Sequence, residues 1–162
     1  MSSSKAWPEP VLSLSVSAPE LARKPPPLLL IRLTAVAVAA PLLIRGGLPR
    51  LQRWLEPRSS HRAVDPSAVD HVAAQFGRWV DSIIRRGQPL VRPGCLTRGI
   101  TLYYALRRTG IDVALCFGVG SDNGAVAGHC WLVIDGQPLL ERTDPRVMFT
   151  EVTRVSRRGV TH

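Results

Sequence analysis

The sequence predicts an α+β domain in which a helix that begins at a cysteine packs on a small antiparallel sheet, preceded by N-terminal helices. Two observations predict the helices. Apolar residues recur every three or four positions in residues 68–86, and they do so again in residues 95–109. A third predicts the sheet, because apolar and small or polar residues alternate in residues 111–119, and a second apolar strand, residues 125–134, follows a turn. A chain of 162 residues is long enough for one such domain with an appendage.

The chain is strongly basic, with 21 Lys and Arg residues against 12 Asp and Glu residues and a net charge of +9. Because the arginines are spread along the whole chain, this charge favours an anionic neighbour, such as a membrane surface or an acidic peptide, only weakly. The sequence has no paired CxxC motif, no RNP-like aromatic strand and no recognition helix with a partner helix. We therefore expect no nucleic-acid partner.

The N-terminal region divides into a lead and an apolar segment. Residues 1–27 are rich in Ser, Pro and Ala and predict a flexible lead. Residues 28–44, LLLIRLTAVAVAAPLLI, continue into a basic stretch, and residues 28–55 together predict one helical segment. The apolar run is shorter than the roughly 20 residues of a membrane span and contains Arg32 and Pro41, which favours a buried or partner-facing helix. Membrane contact through residues 28–44 is the alternative.

A polar linker, residues 56–67, separates this segment from the main domain, residues 68–155, and residues 156–162 are predicted as a tail. The first helix of the domain is amphipathic and is predicted to pack on the rest. His61 in the linker and His71 in this helix have no matching ligand or nucleophile nearby in the sequence, so both are predicted at the surface.

Cys95 begins the second predicted helix of the domain, because Pro93 and Gly94 interrupt the chain just before it. Unpaired backbone N–H groups and the positive end of the helix dipole favour a thiolate there, and the thiolate is the nucleophilic form of cysteine. Cys116 and Cys130 lie within strands and are predicted as small packing residues. Three cysteines at irregular spacing, without a recognisable signal peptide, predict reduced thiols in the cytoplasm, and none of the spacings suits zinc.

His129 is the candidate base for a Cys95 nucleophile. It shares one face of its strand with Trp131 and Val133, and if that face packs on the cysteine helix, the imidazole can approach the thiol. The alternative is a strand histidine packed beside a core tryptophan. Asp135 cannot orient His129, because it lies six residues along the strand, roughly 20 Å away.

The turn at Asp135 and Gly136 decides which acid faces His129. A two-residue turn places His129 opposite Arg142, whereas a three-residue turn with a glycine bulge places it opposite Glu141. Directly opposed side chains have Cβ atoms about 5 Å apart, close enough for a carboxylate to hold an imidazole. The turn type therefore decides whether Glu141 joins the site as the third residue, and Asp144 is the fallback.

Two segments, CLTRGITLYYALRRTGIDVALCFGVG and GHCWLVIDGQPL, resemble a known family, the B-type leader peptidases of lasso-peptide biosynthesis. These proteins belong to the transglutaminase-like cysteine peptidase superfamily. They have an N-terminal apolar and basic helical stretch, a Cys-Leu-x-Arg segment that opens a helix, an aliphatic strand ending in Gly-Val, an Ala-His-Ala-Trp-Val-Glu strand and an Asp-Gly turn. The correspondence covers most of residues 28–145 and implies a papain/transglutaminase-like core.

The resemblance implies that Cys95 is the nucleophile and His129 the base, without metal or cofactor. The family's third residue is an aspartate on the strand after the turn, and the matching position here holds Glu141, which is one methylene longer. A second departure is Cys130, where the family usually has alanine. The oxyanion would be held by the Cys95 backbone N–H, with Gln88 as a candidate second donor.

The implied reaction is amide hydrolysis that removes the leader segment of a lasso-peptide precursor and frees the amine used for macrolactam formation. The implied partners are the precursor peptide, a separate leader-recognition protein and an ATP-dependent lasso cyclase, with the helix at residues 28–44 as a candidate docking face. Two alternatives are a non-catalytic peptide-binding scaffold of the same fold and a transglutaminase-like acyltransferase or amidase that acts on another substrate. The expected location is the cytoplasm, with membrane association through residues 28–44 as a possible addition to each alternative.

Overall fold

The computed structural model of the chain describes residues 25–56, 66–122 and 125–161. Most of the expected lead and linker, including His61, lies outside the described residues. Within them, α-helices are followed by a sheet in which all paired strands are antiparallel. The helices are α1 (Pro27–Leu43), α2 (Leu48–Leu55), α3 (Val69–Arg86) and α4 (Cys95–Arg108). The strands are β1 (Ala114–Asp122), β2 (Ala125–Ile134), β3 (Gln137–Leu139), β4 (Phe149–Ser156) and β5 (Gly159–Thr161), in the order β3-β2-β1-β4-β5.

Helix α4 is the centre of the core, because it packs against α1, α3 and strand β2. Three of its apolar side chains, Ile100, Tyr103 and Leu106, are completely buried. The apolar residues of this helix therefore contact the other helices on one side and the sheet on the other. These contacts confirm the predicted α+β class, with a cysteine helix on a small antiparallel sheet.

Helix α1 buries one face and exposes the other. The buried face packs with α4 in the core, while Leu28, Ile31 and Leu42 are exposed. With the 3-10 turn that follows it, the helical stretch Pro27–Gly46 has 20 residues and a mean hydropathy of 2.2, enough by length and composition to cross a membrane. Buried core helices and signal sequences meet the same criterion.

Two segment boundaries differ from prediction. The strand predicted at residues 111–119 lies at residues 114–122, because the backbone N–H of Ile111 bonds the Leu106 carbonyl and thereby ends α4. Residues 159–161, predicted as part of a tail, form β5 instead, because a tight turn at the end of β4 returns the chain and pairs Val160 with Val155.

A buried polar network joins the end of α2 to α4. The Tyr103 hydroxyl donates a hydrogen bond to the Glu56 carboxylate at 2.5 Å, and the Arg107 guanidinium donates to the same carboxylate at 2.9 and 3.2 Å. Arg107 also pairs with Asp112 at 2.7 Å. Burial and the Glu56 carboxylate raise the pKa of Tyr103. Although burial alone would lower the pKa of Arg107, Glu56 raises it, so the guanidinium stays charged inside the core.

Candidate active site

Cys95 is the first residue of α4 and is half-buried. Gly94 precedes it with φ +149°, a conformation that residues with a Cβ rarely adopt, so a glycine is needed to direct the chain into the helix. The first N–H groups of α4 have no intrahelical acceptor and point out of the helix end around Cys95. The predicted start of the helix is therefore observed, and it presents the thiol at a helix N-terminus.

The Cys95 thiol opens into a small cavity between α4 and the β2–β3 hairpin. The cavity has a volume of about 130 Å³. It is lined by Cys95, Arg98, Gly99, Leu102, His129, Cys130, Trp131, Leu132, Leu139 and Glu141. The structure thus brings the three sequence-predicted residues, from helix, strand and loop, to one site.

Hydrogen bonds make Cys95 acidic. The Cys130 side chain supplies the largest contribution, and the Cys130 backbone and the His129 imidazole add to it. Together they outweigh burial and lower the pKa of Cys95 to about 5. The same hydrogen bond, together with burial, raises the pKa of Cys130, so the Cys130 thiol is the donor and the Cys95 sulfur the acceptor.

His129 lies in the middle of β2, on a strand face that does not pack on α4. Cys130 and Leu132 pack in the core with α4, while Trp131 and Val133 lie in a smaller cluster on the other side of the sheet. The condition set in the sequence analysis, that the face of His129, Trp131 and Val133 packs on the helix, is therefore not met, although His129 still lines the Cys95 cavity. The His129 ring lies nearly parallel to that of Trp131, with centroids 6.0 Å apart. A second aromatic contact, 5.1 Å between centroids, comes from the start of β4.

Glu141 pairs with His129, with 3.6 Å between Oε2 and Nε2. This distance is longer than a hydrogen bond and corresponds to an electrostatic contact. Both side chains are only partly exposed, at 25% for His129 and 21% for Glu141. With Cys95 lining the same cavity, the site contains the three groups that a nucleophile, a base and an orienting acid require.

Glu141 reaches His129 by a route that the register argument did not anticipate. The turn has two residues, since Ile134 pairs with Gln137, and in a continuing strand this would place Arg142 opposite His129. The strand does not continue, because β3 ends at Leu139 and Leu140 adopts φ +56°. This residue turns the chain, so that Glu141 rather than Arg142 lies near His129.

The other sequence-predicted acid and amide lie elsewhere. Asp144 is bound by Arg146 at 2.6 Å and accepts the Arg146 backbone N–H, and these bonds lower the pKa of its carboxyl. Gln88 is exposed and does not line the cavity. Cys116 is buried on the far side of the sheet, and burial raises its pKa to about 12.

Two residues of the site were not predicted to take part in it. Cys130 was expected only to pack, yet its thiol and backbone bond Cys95, and no local sequence signal distinguishes this from packing. Arg98 lines the cavity and is held by Asp81 of α3 at 2.9 Å. Its position one turn into α4, on the same side as Cys95, is a signal that could have identified it. In the described ranges no group of three His, Cys, Asp or Glu side chains could hold a metal ion.

Comparison with known proteins identifies the family. A family model described as the transglutaminase-like superfamily matches residues 34–154, a segment that contains Cys95, His129 and Glu141. No curated protein and no solved structure matches the chain. The superfamily generally contains cysteine-dependent enzymes, and its fold agrees with the helices and five-stranded sheet described above. Because the matched segment covers most of the 162 residues, the chain belongs to the transglutaminase-like superfamily.

Proposed function

We propose that the chain is a cysteine peptidase that removes the leader segment from a lasso-peptide precursor, with Cys95 as nucleophile, His129 as acid and base, and Glu141 as the acid that orients His129. The observation that carries this proposal is the low pKa of Cys95, about 5, in a cavity that also contains the His129 and Glu141 pair. At neutral pH the thiolate is then the dominant form, and in this proposal the thiol proton has passed to His129 before the attack.

The mechanism follows from the positions of the groups. The Cys95 thiolate attacks the carbonyl carbon of the scissile amide, and the oxyanion forms at the N-terminus of α4, where the Cys95 N–H can donate to it. The His129 imidazolium, which carries the proton released by the Cys95 thiol, delivers that proton to the leaving nitrogen. The C–N bond breaks, and the departing peptide has the freed amino group. His129 then takes a proton from water, whose oxygen attacks the thioester and releases the leader as a carboxylate.

An open strand edge beside the cavity supports a peptide substrate. Strand β3 pairs only with Leu132, Val133 and Ile134, and no strand in the described part of the chain covers that edge of β2 from residue 125 to 131. An extended peptide can add to such an edge through main-chain hydrogen bonds. Since His129 lies on this stretch of β2, a peptide bound there would pass the Cys95 thiol.

The specific substrate and partners rest on the resemblance of the two sequence segments to lasso leader peptidases. In this proposal a separate leader-recognition protein presents the precursor, and an ATP-dependent cyclase uses the amine that the cleavage frees. The exposed apolar side of α1, residues 28–44, is the proposed docking face for the recognition protein. The reaction takes place in the cytoplasm or at its membrane surface.

The test is cleavage of synthetic leader–core peptides by the full chain, with the recognition protein present, read by mass spectrometry. We expect two fragments whose masses add up to the substrate plus one water, and no fragments with Cys95→Ala. The matched control is Cys116→Ala, which changes a cysteine on the far side of the sheet. Products joined to an added amine would instead identify an acyltransferase. A chain that turns over no peptide, and whose Cys95 titrates like an ordinary thiol near 8.5, would be a binding scaffold.

A further inference from the structure

Cys95 and Cys130 form a pair of thiols from two elements of the fold. Cys95 begins α4, Cys130 lies on β2, and both line the same small cavity. A Cβ built on Gly99, one turn along α4 from Cys95, would lie 3.0 Å from the Cys130 sulfur. The Cys130 thiol therefore lies directly against the first turns of α4, in a space left open by the absence of a side chain at residue 99.

The two thiols differ in exposure to solvent, and this difference favours disulfide formation. Cys95 is half-buried and lines the open cavity, whereas Cys130 is 4% exposed. An accessible thiolate beside a protected thiol is the arrangement of a redox-sensitive cysteine with its resolving partner. The third cysteine, Cys116, lies on the other side of the sheet, in a cluster with Trp131 and Val133. It therefore cannot replace Cys95 or Cys130 in this pair.

We propose that Cys95 and Cys130 form a reversible disulfide. Its formation under oxidation removes the nucleophilic thiolate of Cys95, and its reduction restores that thiolate. Its effect on catalysis rests on the proposed function, while the bond itself does not. With hydrogen peroxide as oxidant, the Cys95 thiolate attacks one peroxide oxygen, the O–O bond breaks, and Cys95 becomes a sulfenic acid. The other oxygen leaves as hydroxide and takes a proton from solvent to become water. The Cys130 sulfur then attacks the Cys95 sulfur, the S–O bond breaks, and water leaves with the Cys130 proton. The two thiols supply the two electrons that reduce one hydrogen peroxide to two water molecules.

The experiment treats the reduced full chain with hydrogen peroxide, blocks the remaining thiols and maps the products by mass spectrometry. Digestion with trypsin and Asp-N places the three cysteines on separate peptides, because Arg98 follows Cys95 and Asp122 lies between Cys116 and Cys130. We expect a linked peptide that contains Cys95 and Cys130 and lacks two hydrogen masses. Alkylation of Cys95 should fall at least about tenfold and return after treatment with dithiothreitol.

Matched variants separate this bond from general oxidation. Cys116→Ala should form the same linked peptide as the wild type. In Cys130→Ser, which keeps a side chain of similar size, the linked peptide should disappear, and Cys95 should accumulate as a sulfinic acid that dithiothreitol does not reduce. Folding of each variant is checked by circular dichroism, with Cys130→Ala as a second replacement. The proposal is overturned if wild-type Cys95 reaches the sulfinic acid without a linked peptide, or if the linked peptide contains Cys116.

The mapping does not depend on any catalytic readout. A linked peptide from a chain that cleaves no precursor would refute the proposed function and retain the disulfide. Precursor cleavage that peroxide abolishes irreversibly, with no linked peptide, would retain the function and refute the disulfide.

Discussion

The acidity of Cys95 depends on its neighbours as well as on its place at a helix N-terminus. The hydrogen bond from the Cys130 thiol is the largest contribution, and the His129 imidazole contributes further. Burial of the thiol opposes both. A helix start identified in the sequence therefore indicates the direction of the effect, while its size depends on side chains that arrive from β2.

The first prediction concerns the pH dependence of alkylation at Cys95. Because only the thiolate reacts, iodoacetamide labelling of Cys95 should rise through pH 5 and be near its plateau at neutral pH. Cys130→Ala and His129→Ala each remove a hydrogen bond to the thiolate, so both should move the midpoint upward, toward the ordinary value near 8.5. Peptide mass spectrometry of samples labelled across pH measures this, and Cys116, with a pKa of about 12, is the internal control. Labelling of Cys95 no sooner than Cys116 would contradict the assignment.

The second prediction concerns Glu141. Glu141→Gln keeps the shape of the side chain but removes the charge that faces His129 at 3.6 Å. We expect kcat/KM for peptide cleavage to fall by about 10²-fold or more, because the imidazole loses its orienting acid. The control is Asp144→Asn, since that carboxylate is paired with Arg146 and does not line the cavity. Equal activities of the two variants would remove Glu141 from the mechanism.

At the scale of elements, the end of β3 brings Glu141 into the site. Leu140 leaves the strand with φ +56°, and its side chain packs against α3, where a Cβ built on Gly77 would lie 2.9 Å from the Leu140 Cδ1. The absence of a side chain at residue 77 thus permits the packing that holds the segment after β3. The position of Glu141 is set jointly by a short strand, a backbone turn and a neighbouring helix.

The third prediction tests this support. In Gly77→Ala the new methyl group should displace the end of the Leu140 side chain, and the adjacent Glu141 should shift with it. Alanine favours a helix over glycine by about 1 kcal/mol, which offsets the packing cost, so the free energy of unfolding should change by less than about 1 kcal/mol. The value of kcat/KM should nevertheless fall several-fold. Urea denaturation and peptide cleavage measure the two effects, with Gly46→Ala, where the space is open, as the control. A variant with unchanged kcat/KM would show that Leu140 does not position Glu141.

At the scale of the whole molecule, the N-terminal helices and the sheet share one core around α4. Leu33 and Leu55 from the N-terminal segment lie in the same cluster as Leu115 and Val155 from the sheet. The match to the superfamily also starts within α1, at residue 34. The segment predicted as a separate helical region is therefore part of the packing that supports the cysteine helix.

The fourth prediction concerns the polar network that joins α2 to α4. Glu56→Ala would leave the Arg107 guanidinium, whose side chain is 6% exposed, without its main buried partner, and the Tyr103 hydroxyl without its acceptor. We expect the free energy of unfolding to fall by about 3 kcal/mol, the range found when one partner of a buried pair is removed. Asp112→Ala removes another partner of Arg107, but that carboxylate is 78% exposed, so it should cost at most about 1 kcal/mol. Equal losses in urea denaturation would contradict a special role of the buried carboxylate.

Local patterns in the sequence predicted most of the elements. Apolar spacing indicated α3 and α4 to within about one residue, and the Asp-Gly pair predicted the turn that joins β2 to β3. Hydrophobic periodicity and turn residues act within a few positions of the chain, so they can be recognised without knowing what packs on them. The same reasoning found Cys95 and His129, because a helix start and a strand position are local properties.

The sequence by itself determined the class of the fold, the place of the thiol at a helix start and the candidates for base and acid. Only the tertiary structure decided that Glu141 meets His129, that Cys130 bonds Cys95, and that residues 159–161 complete the sheet. Each of these depends on where one segment ends and another packs. A single left-handed residue at Leu140 overrides the strand register, and the contact between α4 and β2 sets which strand face meets the thiol. Such long-range contacts are decided by the packing of the whole core, which no local pattern in the sequence contains.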